Sequence, residues 1–271
     1  MTAPAEVADL FWSAHISWLF SELPYEERPQ AARRAGFRCI ETVWPEPDER
    51  EQLPARIEKE GLSVSLLNCA AGDLEAGERG FINDPSRGDQ AERGFAAAAA
   101  LAGRIGAKTI NILVGRELPG LGARRQREAA VLMLRSFGAE ARARGLTVVV
   151  EPLNEVENPG YLAPDPAGAR ALIEDAGSEA LGILFDVYHL ARVGSDPLAA
   201  IDRHGDLIRH VQMSDFPGRG EPGSGNLDLP AILARLRSSG YRGAIGLEYL
   251  PTAATVGSLA FTRTAEYPVA F

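Results

Sequence analysis

Eight short apolar runs alternate with helical patterns along the chain, and the four runs in its second half are apolar almost throughout. Together these predict one (β/α)8 TIM barrel, a single domain over residues 1–271. A strand with helices on one side and packed side chains on the other loses its polar alternation, because both faces are buried. Punctuation is the third observation. Gly36, Gly61, Gly106, Gly145 and Gly240 each stand where a helical pattern gives way to a strand, the usual C-cap place for glycine. No linker rich in serine or glycine divides the chain. A doubly wound open sheet is the runner-up, but no G-x-G-x-x-G follows the first strand.

Taken in order, the first four strands are expected at 11–16, 37–43, 62–67 and 108–114. The next four read Thr147-Val148-Val149-Val150-Glu151, Gly182-Ile183-Leu184-Phe185-Asp186, Leu207-Ile208-Arg209-His210-Val211-Gln212 and Ala244-Ile245-Gly246-Leu247-Glu248. Among the helices, 124–144 carries Val131, Leu134, Phe137 and Ala141 on one face at helical spacing. Another opens at Asp228-Leu229-Pro230, an N-cap with proline in the first turn, and stops at Gly240. Two longer loops, 68–89 and 214–226, follow strands and therefore belong to the carboxyl face, where barrels build their sites.

Bulk properties exclude several classes. The net charge of −9 opposes nucleic acid or an anionic membrane as partner. Residues 1–9 show no basic stretch followed by an apolar core, so no signal peptide is expected, and the alanine run 96–100 is too short to span a bilayer. Cys39 and Cys69 form neither a metal knuckle nor a disulfide framework, which points to the cytoplasm. Cys69 reads as an inert small hydrophobe, and Trp12, Trp18 and Trp44 as packing of the mouth or core.

The last four runs each end on an oxygen-bearing side chain: Glu151, Asp186, Gln212 and Glu248, separated by 35, 26 and 36 residues. One acidic residue after a strand is commonly a helix N-cap. Four successive strand ends of this kind favour a shared cation instead, since burying such groups is expensive without a partner. Three carboxylates with one amide oxygen, and no thiolate, suit Mg2+ or Mn2+ rather than structural zinc.

The segments Glu151-Pro152-Leu153-Asn154, Asp186-Val187-Tyr188-His189, Gln212-Met213-Ser214-Asp215, Arg219-Gly220-Glu221-Pro222-Gly223-Ser224-Gly225 and Glu248-Tyr249 resemble the hydroxypyruvate isomerase family of xylose-isomerase-like TIM barrels. Ala71-Gly72-Asp73 and Gly77-Glu78-Arg79-Gly80 match too, so the resemblance runs from about residue 11 to 251. It implies that Glu151, Asp186, Gln212 and Glu248 hold the metal, and that the two glutamates also transfer the proton. His189 and Arg219 are then candidates for gripping a substrate oxygen and a substrate carboxylate. Asn68, Glu78, Asn111 and Glu157 are further substrate-binding candidates. The implied reaction moves a proton between adjacent carbons of a small hydroxy-keto acid, hydroxypyruvate to tartronate semialdehyde, through an ene-diol.

Two positions depart from the family as it resembles it: Leu67 and Leu250 stand where a histidine and a lysine are usual. Both changes remove polar groups from the expected substrate end. A 2-oxo-tetronate isomerase, a ketose 3-epimerase and a polyol dehydratase share the chemistry. Zinc phosphodiesterases of the same superfamily need many histidines, and this chain has four. A sugar-acid-binding relic would not need a second proton-transfer carboxylate. A small-molecule hydroxy-keto acid or sugar is the expected partner, and a homo-oligomer is compatible with the sequence.

Overall fold

Apolar strands that expose neither face need helices outside them and side chains inside them. In the computed structural model, which describes residues 10–271, eight parallel strands pair in chain order and the last closes on the first. They are β1 (Leu10–His15), β2 (Cys39–Thr42), β3 (Ser63–Asn68), β4 (Thr109–Ile112), β5 (Thr147–Val150), β6 (Leu181–Asp186), β7 (Ile208–Met213) and β8 (Gly243–Leu247). The stretch 1–9, assessed above for a signal peptide, lies outside the described residues. Helices α1 (Arg28–Ala35), α2 (Pro47–Glu60), α3 (Gly88–Ile105), α4 (Ala123–Arg144), α5 (Pro166–Ala176), α6 (Val187–Arg192), α7 (Pro197–His204), α8 (Leu229–Ser238) and α9 (Thr255–Ser258) surround them.

Several ladders are shorter than the apolar runs. The run at 37–43 pairs only over Cys39–Thr42 and that at 108–114 only over Thr109–Ile112. Apolarity reports burial, whereas a strand ends where its neighbour diverges, so the two boundaries need not coincide. The helix signals hold. Asp228 accepts the backbone N–H of Ala231 at 3.0 Å and caps α8. Phe95 of α3 stacks on Phe137 of α4 with centroids 4.5 Å apart, which ties the outer layer together. Trp12 is fully buried, edge-on to Phe261.

Inside the barrel the two sides differ in chemistry. Leu66, Val149 and Leu184, from β3, β5 and β6, form a small apolar cluster separate from the main core. Glu41, level with Leu66, and His210, level with Leu184, face them with Ser13, His15 and Gln212, all buried. Gly246 makes this polar side possible, because a Cβ there would collide with the Glu41 carboxylate. Among the described residues no helix is long and apolar enough to cross a membrane. Cys39 and Cys69 are buried and unpaired, and burial pushes the Cys69 thiol up to about 12.

Candidate active site

Asp186 is the last residue of β6 and the N-cap of α6 at once. Its Oδ1 accepts the backbone N–H of Tyr188 at 2.8 Å, which leaves Oδ2 to face the barrel mouth. The capping reading and the site reading of this residue are both true, one for each oxygen. Glu151 and Glu248 lie one residue past β5 and β8, and Gln212 lies one before the end of β7. Glu151 Oε2 accepts from Asn111 Nδ2 at 2.6 Å, so β4 orients the carboxylate delivered by β5. One donor atom from each of Glu151, Asp186 and His189 lies within 4.8 Å of the other two.

Arg219 enters this cluster from the loop after β7, with a left-handed φ of 52°. Its Nη2 donates to Glu248 Oε2 at 2.7 Å and lies 3.5 Å from Asp186 Oδ2. The guanidinium packs over the rings of Trp18 and Tyr188, 4.4 and 4.9 Å from their centroids. The sequence led us to expect a free arginine waiting for a substrate carboxylate. In the structure its guanidinium is paired with the protein's own carboxylates, Glu248 first.

His189 is deeply buried, 3.7 Å from Asp186 Oδ2 and 3.9 Å from Glu151 Oε1 through Nε2. The backbone N–H of Asn154 donates to its Nδ1 at 3.1 Å, so Nδ1 is the acceptor and Nε2 carries the hydrogen. Burial lowers its pKa and keeps the ring neutral. A neutral ring with Nε2–H toward the mouth is a hydrogen-bond donor and a poor metal ligand.

Two residues were missed in the sequence. Glu41, wholly buried within β2, accepts from Gln212 Nε2 at 3.0 Å and lies 2.6 Å from His210 Nε2. Its place inside the apolar run Cys39-Ile40-Glu41-Thr42 was the available signal, but attention to strand ends passed over it. By holding the amide nitrogen of Gln212, Glu41 leaves the amide oxygen without a protein partner. His15 is fully buried, 3.4 Å from Glu248 Oε1, and neither ring nitrogen has a hydrogen-bond partner. Burial above all drives its pKa down to about 4.

Burial, then the charge of Asp186, pushes Glu151 up to about 7. Glu248 is also raised well above the usual range, with burial and the two neighbouring carboxylates prevailing over the pull of Arg219. Fully ionised, as a bound cation would hold them, Glu151, Asp186 and Glu248 carry three negative charges against the one guanidinium of Arg219. An all-oxygen donor set with surplus negative charge and an orphaned buried amide oxygen fits a hard divalent cation.

The remaining candidates fall outside this cluster. Asn68 lines a cavity of about 400 Å3 at the β2–β4 side of the mouth, with Trp44, Cys69 and Leu113. Its Oδ1 is buried without a partner. Glu157 sits on the rim, accepting from Tyr188 Oη at 2.6 Å and from Arg192 Nε at 3.1 Å. Glu78 is turned away, paired with Arg87 and accepting the backbone N–H of Asp73 at 2.6 Å. Leu67 is buried, and Leu250 is exposed, its backbone N–H donating to the Arg219 carbonyl.

A family model described as the xylose isomerase-like TIM barrel matches residues 29–265. The chain belongs to that family. The hydroxypyruvate isomerase of Escherichia coli K12 is 33% identical over 250 residues, covering 92% of this chain and 97% of the relative. The 2-oxo-tetronate isomerase of Cupriavidus necator is 33% identical over 253 residues, covering 93% and 97%. These relatives place the chain in the hydroxypyruvate isomerase group, and by family it is an isomerase. A crystal structure from Brucella melitensis, described as an AP endonuclease of family 2, superposes with a TM-score of 0.89 at 29% identity, covering 93% of this chain and 97% of that one.

Proposed function

We propose that the chain is a divalent-metal-dependent isomerase that interconverts a small hydroxy-keto acid and its aldehyde isomer, of the hydroxypyruvate to tartronate semialdehyde type. The observation that carries this is the pair Glu151 and Glu248, brought to one mouth from β5 and β8 with both pKa values raised by burial. Glu151, Asp186, Gln212 and Glu248 would hold the ion. When bound, it supplies Lewis-acid stabilisation of the charge that builds on the substrate's adjacent oxygens.

The chain's own groups do the rest. A carboxylate poised near pH 7 is suited to removing a carbon-bound proton and returning it, and Glu151 meets that condition. Glu248 serves as its counterpart across the substrate, held in place by Arg219 and flanked by His15. His189 Nε2–H donates to a substrate oxygen, and Asn111 fixes the Glu151 carboxylate. Arg219, stacked between two aromatic rings, is the mouth's cation for a substrate carboxylate, sharing it with Glu248. The two unpaired, buried cysteines agree with a cytoplasmic setting.

A 2-oxo-tetronate substrate is the second reading. The cavity beside Asn68, about 400 Å3, offers room for a further hydroxylated carbon. A multi-zinc phosphodiesterase has less support: the chain has four histidines, and His189, beside Glu151 and Asp186, presents an N–H. A panel of small keto acids and ketoses, with and without Mg2+ or Mn2+, followed by proton exchange in D2O, tests the reading. Solvent deuterium should enter the substrate at one carbon, in a metal-dependent way. No exchange with any member would sink it.

A further inference from the structure

Three guanidinium groups gather on the outer rim, apart from the cluster of Glu151, Asp186 and Glu248. Arg79, Arg87 and Arg116 line a cavity of about 260 Å3 between the loop 68–89 and the segment after β4. In a chain of net charge −9 this is a local reversal of sign. The carboxylates in the cavity wall are already engaged. Glu78 pairs with Arg87, while Asp84 accepts the backbone N–H and hydroxyl of Ser86 at 2.9 and 2.6 Å.

Among the described residues, neither Arg79 nor Arg116 meets a carboxylate. Arg79 donates to Asn158 Oδ1 at 3.0 Å and to the carbonyl oxygens of Leu74 and Glu78 at 3.1 and 2.7 Å. Arg116 has a long contact of 3.5 Å to the Glu157 carbonyl, and its Nε is buried without a partner. Burial, then the nearby charge of Arg116, makes the charged form of Arg79 costlier than usual.

Backbone pairing holds both arms in place. Gly80 bridges Val114, and Arg116 bridges Tyr161, both antiparallel, outside the barrel. Any side chain at Gly80 would collide with the Leu113 carbonyl, so this close approach is built in. Two guanidinium groups fixed side by side with donors to spare are arranged before any ligand arrives. The geometry points to an anion site: Arg79 and Arg116 together bind a small molecule through a carboxylate or phosphate group.

The two arginines reach the loop that follows β5. Asn158 and Glu157 receive the two arginines, and Asn154 in the same loop sets the tautomer of His189. The inference stands on these contacts and not on the isomerase reading.

Calorimetric titration with inorganic phosphate, at constant ionic strength made up with chloride, tests it without any turnover. Saturable binding at one site is expected, weakened roughly tenfold or more by Arg79→Gln and by Arg116→Gln. Arg219→Gln should leave it unchanged. Arg116→Lys, which keeps the charge and loses the fork, should bind with intermediate affinity and guards against a folding defect in the glutamine variant. Absence of saturable binding, survival of binding in both glutamine variants, or its loss in Arg219→Gln overturns the site. Steady-state kinetics then separates the sources of the anion. Competitive inhibition by phosphate, abolished in Arg116→Gln, assigns the site to the acid end of the substrate; non-competitive modulation assigns it to a separate ligand.

Discussion

The two halves of the barrel mouth are built for different tasks. On the β5–β8 side, Glu151, Asp186 and Glu248 converge with Arg219 among them, one oxygen of each held by a neighbour's hydrogen bond. On the β2–β4 side, Asn68, Trp44 and Leu113 border an open cavity of about 400 Å3 with no cation in its wall. The difference teaches where specificity and chemistry reside. Crowded, buried charge shifts proton affinities and so suits proton transfer, whereas open volume suits the selection of what fits.

Substitutions on the crowded side should have the largest effects. Glu151→Gln keeps an oxygen and removes the base, so turnover should fall about 10^2- to 10^4-fold, with substrate–solvent deuterium exchange lost in parallel. Near-normal exchange would make Glu151 purely structural. Glu41→Gln lies behind the site and tests the arrangement that frees the Gln212 oxygen. Supporting partners of this kind typically contribute 10- to 100-fold in metal affinity, and Mn2+ titration should show a loss in that range. Unchanged affinity would place the Gln212 amide outside the donor set.

Arg219→Lys comes next. Lysine cannot reproduce the fork or stack in the same way between Trp18 and Tyr188, so catalytic efficiency should drop roughly tenfold to a hundredfold. A loss confined to acid substrates marks contact with the carboxylate. An equal loss on neutral ketoses shows that its pairing with Glu248 dominates.

The pH dependence sharpens the contrast further. Glu151 has its pKa raised to about 7, so between roughly pH 4.5 and 7 the folded state holds a proton that the unfolded chain has released. Its contribution to stability is present below that window and is lost as pH rises through it. His15, lowered to about 4, acts in the opposite sense, its contribution being lost as pH falls from about 6.5 toward 4. In chelator-treated protein, wild type minus Glu151→Gln should therefore lose stability with rising pH, by at most about 1.4 kcal/mol per pH unit. A flat difference in denaturant midpoints would show that Glu151 titrates normally. On the open side the smallest effect is expected: Asn68→Ala should change KM severalfold and leave kcat nearly untouched. A fall in kcat comparable to that of Glu151→Gln would erase the distinction between the halves.

Much of this was legible in the sequence. Continuous apolar runs and glycine stops determined the barrel, because burial on both faces and left-handed helix ends are local demands on residue type. Strand periodicity likewise put Glu151, Asp186, Gln212 and Glu248 at one end of the barrel. Other features exist only in three dimensions. Glu41 reaches Gln212 across 171 residues of sequence, and its room comes from the missing side chain of Gly246. Arg219 is drawn to Glu248 and Asp186 by a field that forms only once the barrel has closed. Residue types fix which surfaces must be buried. Which charges then share a buried space depends on closure, because Coulomb forces act on distance in space and not along the chain.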